Sequence, residues 1–111
     1  MVFGIGKKTP HEIDARQLAA MLDAGEAVVI DVREADEFAA GHVPGAVNLP
    51  LSAFTPDALP DAGGKLVVLN CLGGKRSGMA LDQCVAASAA IDTHLAGGFN
   101  AWAAAGLPVE R

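Results

Sequence analysis

Cys71-Leu72-Gly73-Gly74-Lys75-Arg76-Ser77 gathers one thiol, two glycines and two cations into a short stretch. It follows the apolar run Leu66-Val67-Val68-Leu69 and Asn70, and it precedes an apolar-periodic segment from Met79. The pattern predicts a buried strand, a tight loop and a helix, with the thiol at the mouth of the loop. Backbone N–H groups of Leu72 to Arg76 have no obligatory partner in such a turn and can converge on an anion. Their field, with Lys75 and Arg76 beside it, lowers a thiol below its free pKa of roughly 8.5 and populates the nucleophilic thiolate. Gly73 and Gly74 allow a curled backbone that a Cβ would resist. The alternative is a glycine-rich connection that starts at a core cysteine. The Cys-x-x-Gly-x-Arg-Ser spacing between strand and helix favours chemistry.

Such a loop needs a sheet to hold it. Val28-Val29-Ile30 is a β-branched run expected of an interior parallel strand covered on both faces. Ile13 either starts a short strand or staples the helix after it. Asp14 and Gln17 have the form of a capping box, Leu18, Met21 and Leu22 line one helical face, and Gly25 ends it. Ala35 to Ala40 reads as a short helix closed by Gly41, and Gly45 to Pro50 as a short strand entering a turn. Leu51 to Lys65, with Pro56, Pro60, Gly63 and Gly64, reads as a loop with a helical piece around Asp57 to Leu59. The helix behind the cysteine loop presents Met79, Ala80, Leu81, Cys84 and Val85 inward and Asp82 and Gln83 outward, and alanines extend it toward Ala90. Asp92 to Leu95 forms the last strand. Gly97-Gly98-Phe99 turns into a helix carrying Ala101, Trp102 and Ala105, stopped by Gly106 and Pro108, with Trp102 as a core anchor. Glu110 and Arg111 are expected to be solvated. Helices on both faces of a mostly parallel sheet make a three-layer α/β architecture, and the loop falls at the carboxyl ends of strands, where such sheets bind ligands.

With 111 residues, 51% of them apolar and 19% charged, the chain is long enough for one folded domain, expected over residues 11–111. Residues 1–10 are expected to be flexible or loosely docked. A net charge of -5 argues against nucleic acid or an anionic membrane as a general partner. No apolar run reaches the roughly 18 to 20 residues of a membrane span. Lys7 and Lys8 follow the apolar opening, whereas a secretory signal places its positive charge first, so a cytoplasmic location is the default expectation. Cys84 lies about two helical turns beyond the loop, roughly 10 Å or more of rise. A disulfide needs Cα atoms roughly 4.4 to 6.8 Å apart, so Cys84 reads as a small buried hydrophobe, with a resolving thiol as the alternative. Cys71, Cys84, His11, His42 and His94 show no ligand spacing, and neither metal nor cofactor is expected. His42 could titrate near neutrality, but no carboxylate, cysteine or second histidine stands at a triad spacing from it.

Cys71 to Ser77 resembles the active-site loop of the rhodanese-like sulfurtransferases. Three further stretches agree in kind and order. They are Asp31-Val32-Arg33 with Glu37-Phe38 and Gly41 to Pro50, then Leu95-Ala96-Gly97-Gly98, and Trp102 followed by Gly106-Leu107-Pro108-Val109. Together they cover nearly all of the chain after Pro10. The resemblance implies a rhodanese-like three-layer fold and structural roles for Asp31, Arg33, Glu37 and His42, the first two as a pair holding neighbouring loops. Two departures stand out: Ser88 occupies a place where the resemblance implies a glycine turn, and Asp92 replaces an apolar side chain.

The reaction implied is transfer of sulfane sulfur. Cys71 attacks the outer sulfur of an anionic donor such as thiosulfate, becomes a persulfide, and yields that sulfur to cyanide or a thiol, including a protein acceptor. Arg76 stands with Cys71 in the catalytic set, as a fixed cationic group at the helix entrance whose fork can also bridge loop carbonyls and shape the loop; Lys75 steers the donor, and Leu72 forms part of the rim. Ser77 caps the helix or bonds to the thiolate, while the amides around Gly73 and Gly74 support the anion. A cysteine phosphatase or arsenate reductase is the first rival. Four residues separate Cys71 from Arg76, one fewer than in the phosphatase loop, and no aspartic general acid can be assigned. A persulfide carrier or partner-binding module of little turnover is the second.

Overall fold

A computed structural model describes residues 11–87 and 91–111. The expectations for residues 1–10, for Ser88 and for the helix end near Ala90 lie outside the described residues. Five strands form one parallel sheet: β1 (His11–Ile13), β2 (Ala27–Asp31), β3 (Val47–Asn48), β4 (Leu66–Asn70) and β5 (Thr93–Leu95), in the order β1-β5-β4-β2-β3. The helices are α1 (Ala15–Asp23), α2 (Ala35–Ala40), α3 (Lys75–Ala86) and α4 (Gly98–Ala104).

The two faces follow from the alternation along the central strands. Val29 and Val68 join Leu18 of α1 and Trp102 of α4 in one cluster, while Ile30, Leu69 and Cys71 join Ala80, Leu81 and Cys84 of α3 in the other. Helices therefore cover both faces, as the three-layer expectation requires. Strand β2 runs in register with β4 from Ala27↔Leu66 to Asp31↔Asn70, so both end at the same level and the chain after each emerges side by side. The cysteine loop follows β4, and Val32-Arg33 follows β2.

Local signals are expressed where they stand in the sequence. Asp14 accepts from the Gln17 amide at 2.8 Å and Gln17 Oε1 accepts from the Asp14 amide at 2.9 Å, completing the capping box. Helix α2 has the bounds its pattern predicts and ends at Gly41. The loop 51–65 carries a turn of 3-10 helix at Pro56–Ala58 and a second, unexpected one at Leu51–Ala53.

Other expectations need correction. Helix α3 starts at Lys75, ahead of Met79, so Lys75, Arg76 and Ser77 form its first turn. Met79 and Val85 are exposed at 49% and 47%: the buried stripe is narrower than their hydrophobicity suggested, and runs through Ser77, Ala80, Leu81 and Cys84. Glu110 and Arg111 are exposed, as expected, but the backbone there is also fastened to the body of the domain. Glu110 exchanges both backbone hydrogen bonds with His42 at 2.9 Å, and Arg111 Nε donates to the Ala40 carbonyl at 3.0 Å. These carbonyls and amides near the end of α2 have no helical partner, so a neighbouring backbone gains by meeting them.

Candidate active site

Cys71 leaves β4 at the floor of the loop, 1% exposed. Its Sγ accepts from the Gly74 amide at 3.0 Å and lies 3.5 Å from Ser77 Oγ. Burial pushes the thiol pKa up, but the Ser77 hydroxyl and the amides of Ser77, Gly74 and Gly73 outweigh it, and the net shift is downward. Only Gly74 needs its glycine for conformation: φ is +107 there, whereas Gly73 is not left-handed and a Cβ on it would meet nothing within 4 Å. Leu72, Gly73 and Lys75 are exposed around the thiol, and Ser77 is fully buried beneath it.

The outer wall of the loop is fastened by α4. Phe99 N–H donates to the Cys71 carbonyl at 2.7 Å and Asn100 N–H to the Leu72 carbonyl at 3.0 Å. This approach is possible because position 98 is glycine: a Cβ there would lie 2.4 Å from the Cys71 carbonyl oxygen and 2.6 Å from Leu72 backbone atoms.

Arg76 does not bridge loop carbonyls. Its two terminal nitrogens donate to the two Glu37 oxygens at 2.7 and 2.9 Å, a fork that ties α3 to α2. The hydrogen bonds from Arg76 hold the Glu37 carboxyl down at about 2, and Glu37 raises Arg76 in return. Glu37 thus has a depressed folded pKa against an ordinary 4.5. Its stabilisation is complete above the unfolded value and is lost as pH falls toward the folded one. With both side chains about one-third exposed at 32% and 31%, solvent screening reduces the effect to about 1 kcal/mol. Urea midpoints at pH 6 and pH 3 are expected to show the wild type losing that much more stability on acidification than Glu37→Gln; equal losses would remove the pair from the acid response.

Below the loop lies a second framework. Asp31 binds the Arg33 guanidinium through both oxygens at 2.9 to 3.1 Å, and Arg33 also donates to the Gly41 carbonyl at 2.7 Å. Both residues are buried, which such a pair tolerates only when fully hydrogen-bonded. Asn48 Nδ2 donates to the carbonyls of Asp31 and Arg33. His42 stacks on Phe38 at 3.8 Å, and its Nδ1 lies 2.7 Å from the Phe38 carbonyl. A carbonyl only accepts, so that nitrogen carries hydrogen. His42 is therefore held by Phe38 of α2, and its Nε2 lies 3.6 Å from Glu110 Oε1.

One residue at the site escaped the sequence reading. His94 Nδ1 is 2.8 Å from Ser77 Oγ. The alternation of Thr93-His94-Leu95 is the signal that could have found it, since Leu95 packs on the α1 and α4 side and His94 must then face α3. Cys84 is fully buried, free of any disulfide, and its thiol is raised by burial. Among the described residues no group of three or more His, Cys, Asp or Glu could hold a metal ion, and no helix is long and apolar enough to cross a membrane.

A fork-braced, amide-lined cysteine loop thus stands at the carboxyl end of a parallel strand. Residues 14–105 match the family model of the rhodanese-like domain, and the chain belongs to that family. It is 42% identical over 104 residues to the uncharacterized protein slr1261 of Synechocystis, covering 94% of this chain and 58% of that protein. A sulfurtransferase of Allochromatium vinosum is 31% identical, with 89% of this chain and 94% of the relative covered. Among solved structures, the thiosulfate sulfurtransferase of Pseudomonas aeruginosa superposes with a TM-score of 0.77 at 32% identity, covering 91% of this chain and 19% of that one. The chain thus spans less than two-thirds of the Synechocystis protein and about a fifth of the Pseudomonas chain.

Proposed function

We propose that the protein is a thiosulfate-type sulfurtransferase in which Cys71 carries a persulfide. The observation that supports this most directly is the Cys71 sulfur receiving the Gly74 amide at 3.0 Å, with its thiol pKa shifted down despite burial. The thiolate attacks the outer sulfur of thiosulfate. A new S–S bond forms as the donor's own S–S bond breaks, and sulfite leaves with the bonding pair. Cyanide or a thiolate then takes the outer sulfur, and the bonding electrons return to Cys71 as thiolate. The amides around Gly73 and Gly74 stabilise the anionic sulfur, and Leu72 forms the rim. Arg76 holds the loop through Glu37, Ser77 bonds to the sulfur, and Asp31, Arg33 and His42 support the neighbouring loops. A cytoplasmic setting suits this chemistry because thiols stay reduced there.

Lys75 is exposed in the first turn of α3 without a carboxylate partner among the described residues, which suits it to draw in a dianion. Lys75→Ala is expected to raise the KM for thiosulfate roughly three- to tenfold, with kcat within about twofold, and the difference shrinks at high salt. Unchanged KM at low salt would remove the steering role.

The deciding experiment mixes reduced protein with thiosulfate and follows intact mass, sulfite release and transfer to cyanide. A persulfide mapped to Cys71, with matching sulfite and turnover, is the expected result. The exposed apolar Leu72 beside the buried thiol favours a second reading, a carrier that yields its sulfur to a protein acceptor docking on this rim. A persulfide that forms but does not turn over with cyanide would select it. No adduct and no sulfite would overturn both readings for this donor.

A further inference from the structure

The reaction above leaves the buried His94 unused. It is 6% exposed; two contacts link it to the sulfur and a third holds its other ring nitrogen. Its Nδ1 is 2.8 Å from Ser77 Oγ, Ser77 Oγ is 3.5 Å from Cys71 Sγ, and His94 Nε2 is 3.2 Å from Glu12 Oε2. The fold brings these together from four elements. Parallel pairing sets Glu12 of β1 beside His94 of β5 in register, so both side chains leave the same face of the sheet. Ser77 comes from α3, packed on that face, and Cys71 from the end of β4.

We propose that His94 receives the Cys71 proton through the Ser77 hydroxyl, with Glu12 holding the ring, and so acts as a positioning residue for the thiolate. The proposal rests on Cys71 being the reactive thiol. In the resting arrangement the Cys71 S–H donates to Ser77 Oγ, whose own hydrogen points to an unprotonated Nδ1. The Glu12 carboxylate favours hydrogen on Nε2 and thereby keeps Nδ1 open. On ionisation the thiol proton passes to Ser77 Oγ as the Ser77 proton passes to His94 Nδ1. The result is a thiolate, an unchanged hydroxyl and an imidazolium beside a carboxylate, with charge conserved. Ser77 then donates to the sulfur and accepts from Nδ1–H. The reverse transfer returns the proton from His94 to the regenerated Cys71 thiolate and restores the resting thiol. The Gly74 carbonyl, 3.2 Å from Ser77 Oγ, is the competing acceptor for the hydroxyl hydrogen, and Nδ1–H does not compete for that hydrogen because it is itself a donor.

Among the described residues, the charged and titratable groups around this chain are few. Glu12 faces the ring from β1. Arg76, in the first turn of α3, is engaged by Glu37 and senses the Cys71 charge. Lys75 is exposed beside it, Asp92 just before β5 accepts from Thr93 Oγ1, and Cys84 belongs to the same buried cluster as Cys71.

His94→Asn is the decisive variant, because its side-chain amide keeps a hydrogen-bonding atom near the Nδ1 position but takes up no proton. The far-ultraviolet thiolate absorbance of Cys71 is expected to titrate about one pH unit higher in this variant. The rate of persulfide formation below that midpoint should fall about tenfold, in step with the thiolate fraction, and converge with wild type to within about twofold at alkaline pH. Ser77→Ala should move the midpoint in the same direction, and adding it to His94→Asn should change little more, since one relay is broken twice. An unchanged midpoint, or a rate lowered equally at every pH, overturns the proposal. Should His94→Asn fail to fold by circular dichroism, Glu12→Gln at the exposed end of the chain decides instead, with a smaller upward shift expected and an unmoved midpoint fatal. The absorbance titration needs no sulfur donor. A wild type that forms no persulfide would therefore sink the sulfur-transfer reading while the relay still stands or falls on its midpoint.

Discussion

Cys71→Ser is expected to abolish persulfide formation and sulfite release, lowering turnover by at least about a thousandfold. The loop lowers the cost of a negative charge at the Sγ position, but an alcohol starts far above a thiol on the pKa scale, and the few hydrogen bonds available cannot close that gap near neutral pH. An oxygen also cannot store sulfane sulfur as a persulfide. The fold should survive. The serine hydroxyl can take the Gly74 amide that Sγ takes at 3.0 Å, and it fits a smaller volume beside Ser77, so the change in stability should stay within about 1 kcal/mol. Intact mass, sulfite release and thermal unfolding measured on one preparation separate chemistry from folding. A folded variant that still releases sulfite at a wild-type rate would end the assignment of Cys71 as nucleophile.

Gly98→Ala should be the most damaging change that touches no reacting atom. Position 98 has φ of +61, where an alanine costs about 1 kcal/mol in backbone strain alone. The larger cost is contact. The new methyl would stand 2.4 Å from the Cys71 carbonyl oxygen and 2.6 Å from the carbonyl carbon and oxygen of Leu72, and all of these are backbone atoms without a rotamer to change. Either α4 moves off or the loop deforms, and both break the Phe99 and Asn100 hydrogen bonds to that loop. A loss of about 3 kcal/mol is expected, which lowers the thermal midpoint by roughly 10 to 15 °C in a domain of this size. Because the displaced atoms belong to Cys71 and Leu72, sulfite release at a temperature where the variant is folded should also fall, by about tenfold. Gly73→Ala is the matched control in the same loop, since nothing lies within 4 Å of its Cβ. Equal stability of the two variants would refute the packing argument.

The two glycine positions also show where reading the chain alone loses resolution. Gly73 and Gly74 were equally good candidates for the curled backbone, and only Gly74 is left-handed. Gly98 was legible as a turn, but the carbonyls it must admit belong to another strand end. Arg76 illustrates the same boundary. Its place at the helix entrance is local, yet its partner is Glu37, 39 residues away, so the loop is braced by an ion pair between helices. Glu110 has every local sign of a solvated residue and its side chain is exposed, yet its backbone pairs with His42, a partner no local signal names.

What the amino-acid order determined by itself is short-range. The β-branched runs at Val28 to Ile30 and Leu66 to Leu69, the Asp14 and Gln17 capping box, the helix from Ala35 to Gly41, and the step from strand to cysteine loop to helix all arise from contacts a few residues apart. Each depends on side-chain periodicity or on satisfying backbone groups within one turn. The tertiary structure decided which side chains meet across elements. Strand order β1-β5-β4-β2-β3 with α3 packed on one face puts Glu12 beside His94, His94 against Ser77, and Ser77 against Cys71, although these residues come from β1, β5, α3 and the loop after β4. Periodicity assigns a residue to a face. It does not say which other element will cover that face, because the choice depends on parallel crossovers and on how helices from distant parts of the chain pack together.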